Sequence, residues 1–310
     1  MEKVRRICKL LVIITIFFFL TLSLIVVYFS FKDYTDYFQS RRGKLDQVTE
    51  KYDSASNKIW LTLKNSEGFK VEAGLLIPRK VSEKYPAAIL LGGKATGKYA
   101  INYAFDIDNV IIIALDYPYE PRESYDLLTI IRDLPAVRSA IFDMIPSAML
   151  AIDYLYKRGD VDTNRLMVIG YSFGAPFVPV IMANDNRADA AVIVYGGGEL
   201  STLIEHNVAR YKSKYLARFL GFIGGLFLNP LEPLRYIDRI APKPLLMVSG
   251  SNDEQIPRHN TEVLFNKAKE PKKIVWIESK HVNPRNEDLT RKILATLKRE
   301  LEKMGMLKNM

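Results

Sequence analysis

Between residues 87 and 277 the chain repeats one pattern six times: a short, unbroken apolar or β-branched run, then a longer stretch of mixed polarity. The runs cover 87–91, 110–115, 166–169, 190–195, 245–248 and 274–277. Each is too short for a helix, and each is apolar at successive positions, so both sides of the strand it forms must be buried. Helices covering both faces of a parallel sheet satisfy that demand, which makes this a three-layer α/β chain. Two further runs, 59–63 and 71–77, flank the turn Asn65-Ser66-Glu67-Gly68 and read as an antiparallel pair ahead of the parallel strands. The segment 125–156 reads as a long helical region broken at Pro135 and Pro146. A last helix over 286–304 sets Leu289, Ile293, Leu297 and Leu301 four residues apart on a core-facing stripe.

The N-terminus obeys a different rule. Residues 10–31 carry no charge and are dense in Ile, Leu, Val and Phe. As a helix they would run about 33 Å, the thickness of a bilayer's hydrocarbon core. The exit, Tyr28-Phe29-Ser30-Phe31-Lys32, is bulky and lacks the small residues of a cleavage site. The expectation is one uncleaved signal-anchor helix over 1–31 in a cell membrane. Lys3, Arg5, Arg6 and Lys9 precede the run, which places the N-terminus inside and the rest of the chain on the outer face. Residues 32–57 are polar and read as a stalk, with one catalytic domain over 58–310.

Net charge is +9, but the basic last helix alternates Lys298 and Arg299 with Glu300 and Glu302 and interleaves no aromatics. A solvated face is expected there, and no nucleic-acid partner. Cys8 is the only cysteine, which excludes a disulfide framework or a cysteine metal site, and no cofactor or metal is expected.

Two glycine motifs compete for the chemistry. Gly92 to Lys98 fits G-x-x-x-x-G-K, a phosphate-binding pattern, but Tyr99 stands where a magnesium-binding Ser or Thr is needed. Gly170-Tyr171-Ser172-Phe173-Gly174 follows an apolar run directly and precedes a helical stretch. A tight strand-to-helix turn there would lift the Ser172 hydroxyl clear of the sheet, and flanking glycines would let neighbouring chain pass close. Asp253 follows the run at 245–248 and His281 follows the run at 274–277, in the chain order Ser, Asp, His. In open α/β sheets, functional groups gather at this carboxyl edge.

With GYSFG, SGSNDEQIP, SKHVNP and the glycine loop in place, the chain resembles the α/β-hydrolase superfamily over roughly 58–304. Within it, the dienelactone hydrolase, acyl-CoA thioesterase and prolyl-oligopeptidase-like branch is most similar. The resemblance implies a mostly parallel eight-stranded sheet, with Ser172 as nucleophile, His281 as base and Asp253 as the acid that orients it. It also implies an oxyanion hole made from the backbone N–H of Phe173 and a second amide in the Gly92-Gly93-Lys94 loop, at Lys94 or Gly93. Many relatives carry a histidine where Gly92 stands here, which raises the question of what props the loop. Glu254 is the rival acid, and His206 and His259 are the other histidines.

The implied activity is hydrolysis of a small-molecule carboxylic ester or thioester, lipid-like ones included, through an acyl-enzyme. An acyltransferase, a peptidase or a catalytically silent binding protein on the same residues stays open. Pro176 lies in the first turn after the elbow and Pro179 deeper, which predicts a short or kinked helix. An insertion over about 199–240 carries the apolar stretch 215–228, read either as packed core or as a lid near the membrane.

Overall fold

The computed structural model describes residues 2–53, 56, 58–78, 84–93, 96–104, 109–119 and 127–307. Its elements in chain order are α1 (Glu2–Phe31), α2 (Thr35–Arg42), β1 (Leu45–Tyr52), β2 (Lys58–Asn65), β3 (Lys70–Leu76), β4 (Tyr85–Leu91) and β5 (Ile111–Leu115). There follow α3 (Leu127–Lys157), β6 (Val161–Tyr171), α4 (Phe177–Asn184), β7 (Ala190–Val194), α5 (Leu200–Ala209) and α6 (Lys214–Leu228). The chain closes with β8 (Leu245–Gly250), α7 (Arg258–Lys267), β9 (Lys272–Ile277) and α8 (Glu287–Lys303).

Two compact units form. One contains residues 1–34 and 200–230, the other 35–199 and 231–310. The insertion expected over 199–240 is thus divided: 200–230 lie in the first unit, and 231–240, with the 3-10 turns Pro233–Arg235 and Ile237–Arg239, in the second.

The second unit is built on one sheet in the order β1-β2-β3-β5-β4-β6-β7-β8-β9. β1, β2, β3 and β5 pair antiparallel, and every pairing from β5 through β4 to β9 is parallel. Every residue of β4, β5, β7 and β8 is buried, as their unbroken apolar runs require. α3 lies against β2, β4, β5 and β6, and α4 against β6 and β7. On the opposite face, Leu289, Ile293, Leu297 and Leu301 of α8 join Ala88, Ile112, Val192 and Leu246 in one core cluster. The i+4 stripe therefore faces the core as its spacing predicts.

Three expectations need correction. Among the described residues the sheet has nine strands, because the segment 32–57, expected as a stalk, supplies one of them. Its residues form α2 and then β1, which pairs along its length with β2. Phe38 is fully buried, Arg41 and Arg42 bridge Asp143 (2.9 Å) and Asp153 (2.6 Å) of α3, and Asn65 Nδ2 donates to the Arg41 and Arg42 carbonyls. α3 also runs unbroken through Pro135 and Pro146. Packing of its buried 142–155 stretch against the sheet outweighs the lost backbone bonds. α4 is short, eight residues, with Pro176 as its N-cap and Pro179 in its first turn.

The first unit contains α1, α5 and α6. α1 includes a 23-residue segment, Lys9–Phe31, whose 18-residue apolar window has a mean hydropathy of 3.1 and none of its residues buried. Among the described residues, the other helix long and apolar enough to cross a membrane, Arg132–Lys157 within α3, has a mean hydropathy of only 1.2, is two-thirds buried and is a core helix.

Candidate active site

The elbow after β6 is set by close approaches. Ser172 takes a left-handed φ of 50°, which L-residues adopt only under constraint. The chain can turn this tightly because residues 170 and 174 lack side chains. A Cβ at Gly174 would stand 2.2 Å from the Leu91 carbonyl oxygen, and one at Gly170 would stand 2.6 Å from the Gly174 oxygen. Gly174 thereby lets the elbow sit directly on the end of β4, where the glycine loop begins.

Three residues predicted from sequence order meet here. Ser172 Oγ lies 2.7 Å from His281 Nε2, and His281 Nδ1 lies 2.8 Å and 3.0 Å from the two Asp253 oxygens. His281 and Asp253 are both buried. Asp253 Oδ1 also accepts the backbone N–H of Gln255 (2.8 Å) and Ile256 (2.9 Å), so the carboxylate is held by its own loop. An acceptor carboxylate at Nδ1 keeps the proton on that nitrogen and leaves Nε2 free to accept from the serine hydroxyl. The rivals are placed elsewhere: Glu254 accepts the His281 backbone N–H (3.1 Å), His259 pairs with Glu199 (3.1 Å), and His206 is on the surface of α5.

The glycine loop faces this group. Gly92 and Gly93 line the same cavity as Ser172 and His281, and Phe173 directly follows the serine. Lys94, the favoured second amide donor, lies outside the described residues. Gly93 is tied down by Thr96, whose N–H (3.0 Å) and Oγ1 (2.9 Å) both donate to its carbonyl. The Gly92 carbonyl accepts from the Tyr117 hydroxyl. The Tyr117 ring packs edge-on against Phe173 at 5.1 Å and touches Phe177 at 6.5 Å. One tyrosine thus braces both the loop and the residue after the serine, which answers what replaces the missing histidine. Burial, reinforced by Asp116, pushes its phenol far above the ordinary range, so it keeps its proton to donate. Sequence reasoning missed it; the signal was its place directly after Asp116, at the end of β5.

The phosphate-loop pattern dissolves in the same geometry. Lys98 is committed to Asp116 (3.0 Å), and the chain after the loop makes a 3-10 turn, Gly97–Tyr103.

The cavity that Gly92, Gly93, Ser172 and His281 share measures about 390 Å³. Leu90, Ile112 and Ile169 form its floor on the sheet, and Ala100, Ala104, Leu294 and Leu297 form its walls. Glu254, Gln255 and Asn283 contribute polar groups near His281. Tyr195, fully buried with its hydroxyl on Ser279 Oγ, sets its ring edge-on to His281 at 5.7 Å.

Sheet order, elbow and the Ser-His-Asp meeting point give this chain the α/β-hydrolase fold. The Dienelactone hydrolase family model matches residues 136–281. Acetyl xylan esterase 1 from Thermoanaerobacterium sp. JW/SL YS485 superposes with a TM-score of 0.62 at 18% identity, over 86% of this chain and 94% of that one. Est1E from Butyrivibrio proteoclasticus gives 0.55 at 17% identity, over 80% of this chain and all of that one. In sequence, the chain is 30% identical over 132 residues to the alpha/beta hydrolase domain-containing protein WAV2 of Arabidopsis thaliana, covering 40% of this chain. It is 25% identical over 141 residues to protein YfhR of Escherichia coli O157:H7, covering 45% of this chain. The match spans less than half the length of these curated relatives, 42% and 46%.

Proposed function

We propose that this protein is a membrane-anchored serine hydrolase that cleaves a carboxylic ester or thioester with an apolar acyl group. The observation that carries this is the continuous hydrogen-bonded chain Ser172–His281–Asp253 opening onto an apolar cavity. Ser172 Oγ attacks the acyl carbonyl while His281 Nε2 takes its proton. Asp253, already holding Nδ1–H, stabilises the imidazolium that results. The carbonyl oxygen, now negative, is met by the Phe173 N–H and a second amide of the glycine loop after β4, each worth about 3–4 kcal/mol. His281 passes its proton to the departing alkoxide or thiolate, leaving an acyl-Ser172 ester. Water, deprotonated by His281, then attacks that ester; the acid leaves and Ser172 regains its proton.

The cavity favours acyl groups over charged chains, since Leu90, Ile112, Ile169, Leu294 and Leu297 line it with Ala100 and Ala104, and Thr96, Tyr103 and Thr290 add only neutral hydroxyls. Its size suits a small ligand. The exposed apolar segment Lys9–Phe31 spans about 34 Å as a helix and crosses the bilayer, with Lys3, Arg5, Arg6 and Lys9 on the cytoplasmic side. Support for the esterase chemistry also comes from the acetyl xylan esterases of the same fold.

A fluorophosphonate probe separates an enzyme from a silent fold. Wild type is expected to label and Ser172→Ala is expected not to; an unlabelled wild type overturns the serine mechanism. A panel of p-nitrophenyl esters of increasing chain length then reads the cavity.

A further inference from the structure

The first unit holds a feature that the catalytic proposal leaves unused. α6 has two faces, and they are arranged the opposite way from a helix that packs in water. Toward α5 it presents Ala217, Gly221 and Gly225, spaced i, i+4 and i+8. A Cβ at Gly221 would stand 2.8 Å from Glu205 Cβ, and one at Gly225 would stand 2.6 Å from Ser201 Cβ. Ser201 Oγ closes the contact by donating to the Gly221 carbonyl (3.0 Å). Away from α5 it presents Tyr215, Phe219, Phe222 and Ile223, exposed by 91%, 60%, 60% and 45%. In water a helix pair turns its large apolar residues inward. Small residues in the seam, with aromatics outward, is how helices pack when their surroundings are themselves apolar.

Two further observations say what those surroundings are. Residues 206–231 contain Arg210, Lys212, Lys214 and Arg218 and no Asp or Glu, with Tyr211 and Tyr215 between them. Cations and tyrosines beside an apolar face match the headgroup layer of an anionic bilayer. α6 also packs on α1, and Asn229 Nδ2 donates to the Ser30 carbonyl (2.8 Å), at the last turn of the long apolar helix. That tie fixes the end of α6 at the level where α1 leaves the hydrocarbon. At 15 residues α6 is too short to cross, and it suits a helix lying in the interface.

We infer that the α5–α6 hairpin is a second membrane contact, with α6 lying in the headgroup–acyl boundary of an anionic bilayer, its Phe219–Phe222 face in the acyl region. This rests on the proposal that α1 spans the membrane. The consequence is an anchor with fixed orientation, since a lone helix leaves rotation about its axis free.

The test uses the full chain with Cys8→Ala and single cysteines carrying an environment-sensitive fluorophore, reconstituted in bilayers of phosphatidylcholine and phosphatidylglycerol. Phe222→Cys and Phe219→Cys probe the face, Phe19→Cys probes α1, and Ala295→Cys, exposed on α8, reports water. At 219 and 222 the emission should shift to the blue, with quenching by shallow spin-labelled lipid at least about threefold stronger than by aqueous iodide. Ala295→Cys should show the reverse. Lipid quenching at 19 with iodide quenching at 219 and 222 would overturn this inference while leaving the anchor standing. Iodide quenching at 19 would overturn the anchor and the inference with it. Protection of 219 and 222 from both quenchers would mean that a second copy or another protein covers the face, which also overturns it.

Discussion

Tyr117→Phe removes one oxygen atom and leaves the ring that packs on Phe173 and Phe177 in place. What it deletes is the hydroxyl donated to the buried Gly92 carbonyl. A buried carbonyl left without its donor costs about 1–3 kcal/mol. Part of that cost appears as stability, a fall in Tm of a few degrees for a chain of this size. The rest is relieved by movement of the glycine loop, to which the proposed mechanism assigns the second oxyanion donor. Loss of such a donor outright lowers kcat by roughly 10²–10³-fold. A displaced donor should cost less, so kcat is expected to fall about tenfold, with KM little changed because the cavity residues are untouched. Steady-state kinetics on a short p-nitrophenyl ester measure the split. Tyr117→Leu, which also removes the edge contact on Phe173, should be lower again. If Tyr117→Phe keeps kcat within twofold of wild type while losing stability, the tyrosine is only a structural brace, and the loop's geometry is set elsewhere.

Three other expectations follow from the same coordinates. Gly174→Ala puts a methyl 2.2 Å from the Leu91 oxygen, backbone against backbone. It should cost about 1–3 kcal/mol in stability and, by shifting the elbow against the loop, about 100-fold in kcat; denaturant melts and kinetics check both. Ala104→Leu narrows the cavity wall and should lower kcat/KM for long acyl chains by at least about tenfold while sparing acetyl esters. Glu300, buried beneath Lys273 (2.5 Å), Arg299 (2.9 Å) and Lys303 (3.2 Å), has its carboxyl pulled down to about 2, chiefly by Lys273. A depressed carboxylate contributes stability that is fully present above its ordinary value near 4.5 and lost as pH falls towards 2. Because all three cations are about half exposed, Glu300→Gln should cost only about 1 kcal/mol at pH 7, and urea midpoints should converge with wild type near pH 2.

The parts of this fold that could be read in the sequence are those where burial on both faces leaves an unbroken apolar run, as in β4, β5, β7 and β8. β1 could not be read that way. LDQVTEKY buries only Leu45, because the strand is the outermost of the sheet and has a partner on one side only. Polar residues at an edge look like a linker until the pairing with β2 is seen. At the site, Ser172, Asp253 and His281 were legible because an ordered strand end carries each of them. Tyr117 was not, since its role depends on a carbonyl 25 residues away in the chain. In α6 the apolar character was plain, but which side faces α5 emerged only from the close approaches at Gly221 and Gly225.

Ser172 sits in a backbone conformation that a glycine would occupy without strain, and such strain amounts to about 1–3 kcal/mol. A population of this protein selected only for staying folded would therefore drift towards glycine at 172, gaining stability as it lost its hydroxyl. On the proposed mechanism, a serine at that position is a record of selection for chemistry, written against the thermodynamic gradient of the scaffold that carries it.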